Sequence, residues 1–179
     1  GRLPHVMALV LKRALDNYPP AQPLVKWPND LYLGDQKVSG ILVETEVRGE
    51  GHAHAVIGVG INVNVTEDEI PQELRGQATS LRAVTRTWVD REMLASTILD
   101  GLAEALASAP ETFPSILAEL KTSHYLIGKP IRARVGEGTV EGIAVDLGSE
   151  GELVIETSEG RRKHLTSVDE VRAISRPRS

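Results

Sequence analysis

The stretch LVKWPNDLYLGDQKVSGILVETEVRGEGHAHAVIGVGIN, residues 24–62, decides the fold. Short β-compatible runs at 24–27, 31–33, 38–47 and 53–62 alternate with the turn signals Asn29-Asp30, Gly34-Asp35 and Arg48-Gly49-Glu50-Gly51. Runs joined this closely predict antiparallel hairpins. The last two are nearly continuous in apolar residues (Ile41, Leu42 and Val43, then Val56, Ile57, Val59 and Ile61), which predicts central strands covered on both faces.

On either side the period changes. Leu3, Val6, Met7, Val10, Leu11 and Leu15 recur at three- and four-residue intervals, the apolar face of a helix that Asn17-Tyr18-Pro19-Pro20 must end. After the strands, Thr66 followed by Glu67, Asp68 and Glu69 predicts one or two helical turns, because acidic groups favour the positive end of the helix dipole. A longer helix is expected after Asp90 as cap, with Leu94, Ile98, Leu102 and Leu106 on one face, and a separate one around 116–120, divided from it by Pro110. From Leu126 onward four short alternating runs with glycine turns, near 131–135, 140–146, 153–157 and 163–166, predict a small antiparallel barrel or sandwich. The boundary falls between Lys121 and Gly128, so the chain divides at 1–124 and 125–179.

Composition narrows the function. The 179 residues are 41% hydrophobic and carry a formal net charge of −5, which supports a packed core and disfavours a nucleic-acid partner. Without cysteine there is no disulfide, thiolate metal site or cysteine nucleophile. No apolar run is long enough for a membrane span and no signal peptide opens the chain, so a cytoplasmic location is the default expectation. The start at Gly1, directly in a helical pattern, suggests that an upstream part has been removed.

The chemistry concentrates at residues 26–64. Trp27 before Pro28 implies extended backbone, and Asn29-Asp30 places an amide and a carboxylate at a turn; taken alone such a pair reads as a turn cap. Lys37 precedes the buried run at Ile41, near enough for its ammonium to reach a pocket at the strand's start, although a solvated hairpin lysine is the plainer reading. Gly40, Gly58 and Gly60 lie inside strands, where glycine weakens a sheet unless a bulge or a close ligand requires the missing side chain. Gly58-Val59-Gly60 has neither the third glycine nor the following helix of a dinucleotide fingerprint. Asn62 carries both donor and acceptor and could read an adenine edge or cap a turn. The histidines are scattered, with His52 and His54 expected in a solvated hairpin loop. The basic run of Arg161, Arg162 and Lys163 with Arg172 reads as a solvated barrel face.

In order and spacing, Lys26-Trp27-Pro28-Asn29-Asp30, then Lys37 with Gly40-Ile41-Leu42-Val43-Glu44, then Gly58-Val59-Gly60-Ile61-Asn62-Val63-Asn64 resemble the biotin-protein ligase family. Ala78-Thr79-Ser80-Leu81 is similar to its nucleotide-side loop, and Gly128-Lys129-Pro130 onward to its C-terminal SH3-like barrel. The resemblance implies an α+β fold: a mixed β-sheet flanked by helices, class II synthetase-like and incomplete at its N-terminus, followed by the barrel. It implies an enzyme that makes biotinyl-5′-AMP from biotin and ATP and passes biotin to a lysine of a biotin carboxyl carrier domain. Lys37 would be the catalytic lysine at the biotin carboxyl and α-phosphate, with Asp30 positioning Mg²⁺. Asn29, Gly40, Ile41, Gly60 and Asn62 would line biotin or the adenylate, while Trp27 and Pro28 support the turn. The family's Ser/Thr-Thr/Ser-Asn segment and its glycine- and arginine-rich loop are not in this sequence, which points to a fragment of a longer polypeptide. A homodimer is compatible with the family. A lipoate or octanoyl transferase, a biotin-sensing regulator and a non-catalytic binding module of the same family are the competing readings.

Overall fold

A computed structural model describes residues 2–48 and 52–174. Helix α1 (Leu3–Asp16) leads into the strands β1 (Pro23–Lys26), β2 (Asp30–Leu33), β3 (Gln36–Arg48) and β4 (His52–Ile61). Two 3-10 turns (Glu67–Glu69 and Gln72–Leu74), the short helix α2 (Leu81–Thr85) and the long helix α3 (Arg91–Thr122) follow. The chain closes with β5 (Pro130–Val135), β6 (Gly138–Leu147), β7 (Leu153–Glu156), β8 (Arg162–Leu165) and β9 (Glu170–Ala173).

The predicted hairpins form. The first sheet has the order β1-β2-β3-β4 with every ladder antiparallel, and among the described residues parallel pairing enters only as two isolated bridges, Val25 with His124 and Lys37 with Ala78. Alternation sends Val25, Leu31, Leu33 and Ile41 to one face, where they pack with Val6, Met7, Leu11 and Leu15 of α1. Phe113, Ile116 and Leu120 of α3 join the same cluster. Helix α1 therefore lies between sheet and α3, which is why nearly all of it from Val6 to Leu11 is buried.

Three expectations need correction. The strands β3 and β4 are not covered on both faces: Leu42 and Val56 are 60% and 66% exposed, because the described helices pack on one side of the sheet alone. Among the described residues β4 is hydrogen-bonded along one edge only, to β3. His54 lies within β4 and not in a loop, while residues 49–51 of the expected turn fall outside the described residues. Pro110 does not divide two helices. Helix α3 runs unbroken through 32 residues from its Asp90 cap, whose carboxylate accepts the N–H groups of Glu92 and Met93 at 2.9 and 3.1 Å. Packing of its two halves against α1 and the barrel continues the axis past the lost hydrogen bond, and Pro114 one turn on sits on the exposed side. At the earlier turn the expected Thr66 cap is present, with the Glu69 carboxylate accepting both the backbone N–H and the hydroxyl of Thr66 at 2.7 and 2.9 Å. Those two bonds hold the Glu69 carboxyl below its ordinary range.

The second sheet has the order β8-β7-β6-β5-β9, again antiparallel, around Ile131, Ala133, Ala144, Leu153, Ile155 and Val171. Its fifth strand, β9, was not among the expected runs; Val171 between Glu170 and Arg172 supplies one buried alternation on an edge. The connector from α3 is itself built into the first sheet. Val25 donates its N–H to the Ser123 carbonyl (2.9 Å) and Tyr125 donates to the Val25 carbonyl (2.8 Å). Between them His124 is buried, its Nδ1 accepting the N–H groups of Leu126 and Ile127 at 3.2 and 3.3 Å. Burial, with a smaller contribution from His5, lowers its pKa to about 4.

Candidate functional site

The site lies on the sheet face turned away from α1, and a register shift builds it. Asp30 pairs with Gly40 and Leu31 with Ser39, but Tyr32 pairs with Lys37, leaving Val38 as an extra residue in β3. Strict alternation would send Lys37 into the core alongside Ser39. The bulge buries both Val38 and Ser39 and returns Lys37 to the face of Asp30 and Gly40.

There the Lys37 ammonium meets Asp30 Oδ1 at 2.6 Å, with 44% of the lysine side chain and 18% of the aspartate side chain exposed. Gly40 makes room for this pair. A Cβ at that position would lie 3.1 Å from Lys37 Nζ and 3.2 Å from Cε, so the lysine crosses the strand where a side chain is missing. In the register, Gly60 lies opposite Gly40 and Gly58 opposite Leu42, so three glycines share the face with Lys37 and Asp30. Nothing lies within 4 Å of a Cβ built on Gly60. The result is a side-chain-free floor with a paired ammonium and carboxylate at one end and the exposed apolar groups of Leu42 and Val56 at the other.

The remaining expected residues fall around this floor. Asn29 holds the turn: its amide donates to the Ile41 carbonyl (2.7 Å) while Ile41 returns its N–H to the Asn29 carbonyl (2.8 Å). Ile41 differs from its expected place, because its side chain turns into the core on the opposite face and both its backbone groups are taken by Asn29. Pro28 is half-buried after a cis Trp27–Pro28 bond. Trp27 is buried, and its indole N–H donates to the Gly151 carbonyl at 3.0 Å. Asn62 stands past the end of β4 with its amide donating to the Thr79 carbonyl (3.0 Å), and Thr79 in turn donates its N–H to the Lys37 carbonyl (2.9 Å). The loop at 78–81 is thus stitched to Lys37 and Asn62. Ser80 caps α2 through Ala83 N–H and donates its hydroxyl to the Val65 carbonyl. Asn64 pins the next stretch with both ends of its amide, donating to the Val89 carbonyl (2.8 Å) and accepting its N–H (2.9 Å).

Sequence reasoning did not single out the edge of the floor next to the second sheet. Lys26 donates to the Tyr32 hydroxyl (3.1 Å), the Tyr32 and Tyr125 rings lie 4.8 Å apart, and Lys129 Nζ sits 3.5 Å from the Tyr125 ring centroid. Burial, then the hydrogen bond to Asp35 at 2.9 Å, pushes the Tyr125 hydroxyl up to about 12. Lys26 and Tyr32 were legible through the alternation that puts them on the face of Asp30. Tyr125 is brought there only by folding. The cavity of about 400 Å³ between α1 and α3, bordered by the Arg13–Glu119 pair, is separate from this face.

Chemically, the floor offers a close-approach surface for a flat or extended ligand, ending at a cation that an anion would meet. Among the described residues no group of three histidine or acidic side chains converges as a metal site. Asp30 as a single carboxylate suits a Mg²⁺ ion that arrives on a polyphosphate and keeps most of its other oxygen ligands, not one caged by protein.

Residues 2–62 match the Biotin/lipoate A/B protein ligase family, and residues 126–169 match the Biotin protein ligase C terminal domain. The chain is 31% identical over 157 residues to the bifunctional ligase/repressor BirA of Bacillus subtilis, covering 87% of itself and 48% of that protein. It is 31% identical over 154 residues to the biotin--[acetyl-CoA-carboxylase] ligase of Mycobacterium tuberculosis, covering 86% of itself and 54% of the relative. The chain thus spans about half the length of the curated relatives it matches. Its structure resembles that of the biotin protein ligase from Aquifex aeolicus with a TM-score of 0.84 and 30% identity, over 97% of this chain and 75% of that one. The Aquifex protein has also been solved in complex with biotin and ATP.

Proposed function

The chain belongs to the biotin protein ligase family, and from that premise we propose that it supplies the lysine-bearing half of a site that joins biotin to AMP and then to a carrier-protein lysine. The observation that carries the reading is the Lys37 ammonium laid across Gly40, 2.6 Å from Asp30, at the end of the Gly40, Gly58 and Gly60 floor. In the first step a biotin carboxylate oxygen attacks the α-phosphorus of ATP, forming biotinyl-5′-AMP and releasing pyrophosphate. Two anions must meet, and the ammonium at the mouth of the floor offsets their repulsion and the charge developing on phosphate. Asp30 orients that ammonium and would be the residue to hold a Mg²⁺ ion brought by the nucleotide, which would neutralise phosphate charge. Asn62 reads the adenine edge, with Thr79 and Lys37 holding its loop; Asn29, through Ile41, keeps the turn beneath Asp30 rigid. In the second step the carrier lysine amine attacks the acyl carbon and AMP leaves, a transfer for which proximity at the open face is the main requirement.

The division into a catalytic part at 1–124 and a barrel at 125–179, a cytoplasmic setting, and a carboxyl carrier domain as acceptor belong to the same proposal. A second reading follows from the relatives described as bifunctional ligase/repressors: the same biotin site serving as a regulator's sensor.

The test is an intact-mass measurement of a biotin carboxyl carrier domain after incubation with biotin, Mg-ATP and the chain. It is run on the chain alone and with the part of the Aquifex aeolicus ligase that the chain does not cover, with Lys37→Ala in parallel. A biotin adduct that depends on Lys37 supports the proposal. No adduct in either sample, or an adduct indifferent to Lys37, refutes it.

A further inference from the structure

The turn at Trp27-Pro28-Asn29-Asp30 is anchored at both ends, and one anchor belongs to the second sheet. On the far side from Asp30, the buried Trp27 indole N–H reaches across 124 positions of sequence to the Gly151 carbonyl in the β6–β7 turn. His5 Nε2 shares that carbonyl at 2.8 Å, from the first turn of α1. The carbonyl is aimed by a backbone conformation that needs glycine: Gly151 has φ +87°, and a Cβ there would stand 2.5 Å from the His5 ring.

The turn that presents it is itself tied down. Gly151 donates to the Gly148 carbonyl (3.0 Å), Gly148 donates to the Glu152 carbonyl (2.8 Å), and the Glu152 carboxylate accepts the Glu150 N–H (3.0 Å). Arg2 pairs with Glu150 at 3.1 Å and lies over the Phe113 ring, so α1, α3 and the second sheet meet at this point. On the near side, two residues beyond Trp27, Asn29 exchanges two hydrogen bonds with Ile41, and Asp30 next to it grips Lys37.

We propose that Gly151 and Trp27 are positioning residues for the Lys37–Asp30 pair: the second sheet, through one carbonyl, holds the turn that sets where Asp30 and hence the ammonium stand. This rests on the ligase reading for its kinetic consequence, but the mechanical coupling can be measured without it. The two sheets then work as one site, although no side chain of the second sheet approaches the glycine floor through this contact.

The test compares three variants of the 179-residue chain with the parent by amide hydrogen exchange and by the ligation assay described above. Trp27→Phe keeps the ring and removes only the donor. Gly151→Ala puts a methyl into the His5 ring. Gly160→Ala, in the β7–β8 turn at φ +73° with nothing within 4 Å of its Cβ, imposes a similar backbone penalty away from the contact. The reporter is the Ile41 amide, whose N–H bonds to the Asn29 carbonyl at 2.8 Å. Exchange at Ile41 is expected to quicken about tenfold in Trp27→Phe, the scale of one lost buried hydrogen bond, and at least as much in Gly151→Ala, but not in Gly160→Ala. In an active assay KM for ATP should rise about tenfold in Trp27→Phe with kcat within about twofold, a split that loss of folded protein does not produce.

Unchanged exchange at Ile41 in Trp27→Phe overturns the proposal, as does equal quickening in Gly160→Ala, or an unmoved KM in an active enzyme. Should Gly151→Ala fail to fold, Trp27→Phe decides alone. A parent chain without ligation under any condition refutes the ligase reading, while the exchange at Ile41 still decides the coupling.

Discussion

Lowering the pH from 7.5 to 4.5 should destabilise the fold through His124, in a window where the shifted carboxylates contribute little. His124 is 8% exposed with its Nδ1 occupied by two backbone N–H groups, and its pKa is lowered from 6.5 to about 4. The folded state therefore resists protonation that the unfolded chain accepts. Above pH 6.5 both states are neutral and the stability is fully present; between pH 6.5 and 4 the unfolded chain binds the extra proton and stability falls; below pH 4 the loss is complete. At about 1.4 kcal/mol per pKa unit the full loss is about 3 kcal/mol, most of which has gone at pH 4.5. The carboxyl groups of Glu69, Glu119, Asp146 and Glu152 all have lowered pKa values, so their losses set in only as pH falls into the ordinary carboxylate range and are completed below it, after most of the His124 loss. The assay is urea unfolding at steps from pH 7.5 to 4.5, for the parent and for His124→Asn, whose side-chain oxygen can accept the same two N–H groups without titrating. The two curves should converge as pH falls, by about 2 to 3 kcal/mol between the ends of the range. Curves that stay parallel would refute the assignment of a buried neutral histidine.

The remaining predictions concern single contacts. Asn64→Ala leaves the Val89 N–H and carbonyl without their partners and should cost about 1–3 kcal/mol in the same urea experiment, with the Val89 amide exchanging faster. Phe113→Ala empties the point where α3 meets Arg2 and His5 and should cost about 3–5 kcal/mol, read as a lowered urea midpoint. Gly40→Ala places a methyl 3.1 Å from Lys37 Nζ and should abolish most Lys37-dependent ligation, whereas Gly58→Ala, whose nearest neighbour is 3.8 Å away, should leave the urea midpoint nearly unchanged. Asp90→Ala removes the cap of α3 at a cost of about 1 kcal/mol, checked by the same unfolding curves.

Much of the architecture was legible because it rests on local signals. Period-two runs and turn residues determined the hairpins, the spacing of Leu3 to Leu15 determined α1, and Asp90 marked the start of α3. Where the physics is not local, the reading stopped. Pro110 looked like a helix end because its missing donor is a local fact, while the packing that carries α3 through it comes from α1 and the second sheet. An apolar run does not reveal whether a second layer covers it, so the exposure of Leu42 and Val56 could not be read from 24–62. The grouping of Lys37, Asp30 and the three glycines was suggested by their order alone. Their meeting on one face depends on the bulge at Val38, because a one-residue shift of register exchanges the faces of everything beyond it. The contact of Trp27 with Gly151 spans 124 residues of sequence and was not legible at all: a left-handed glycine and an indole N–H carry no sign of each other until the chain has folded both into the same few ångströms.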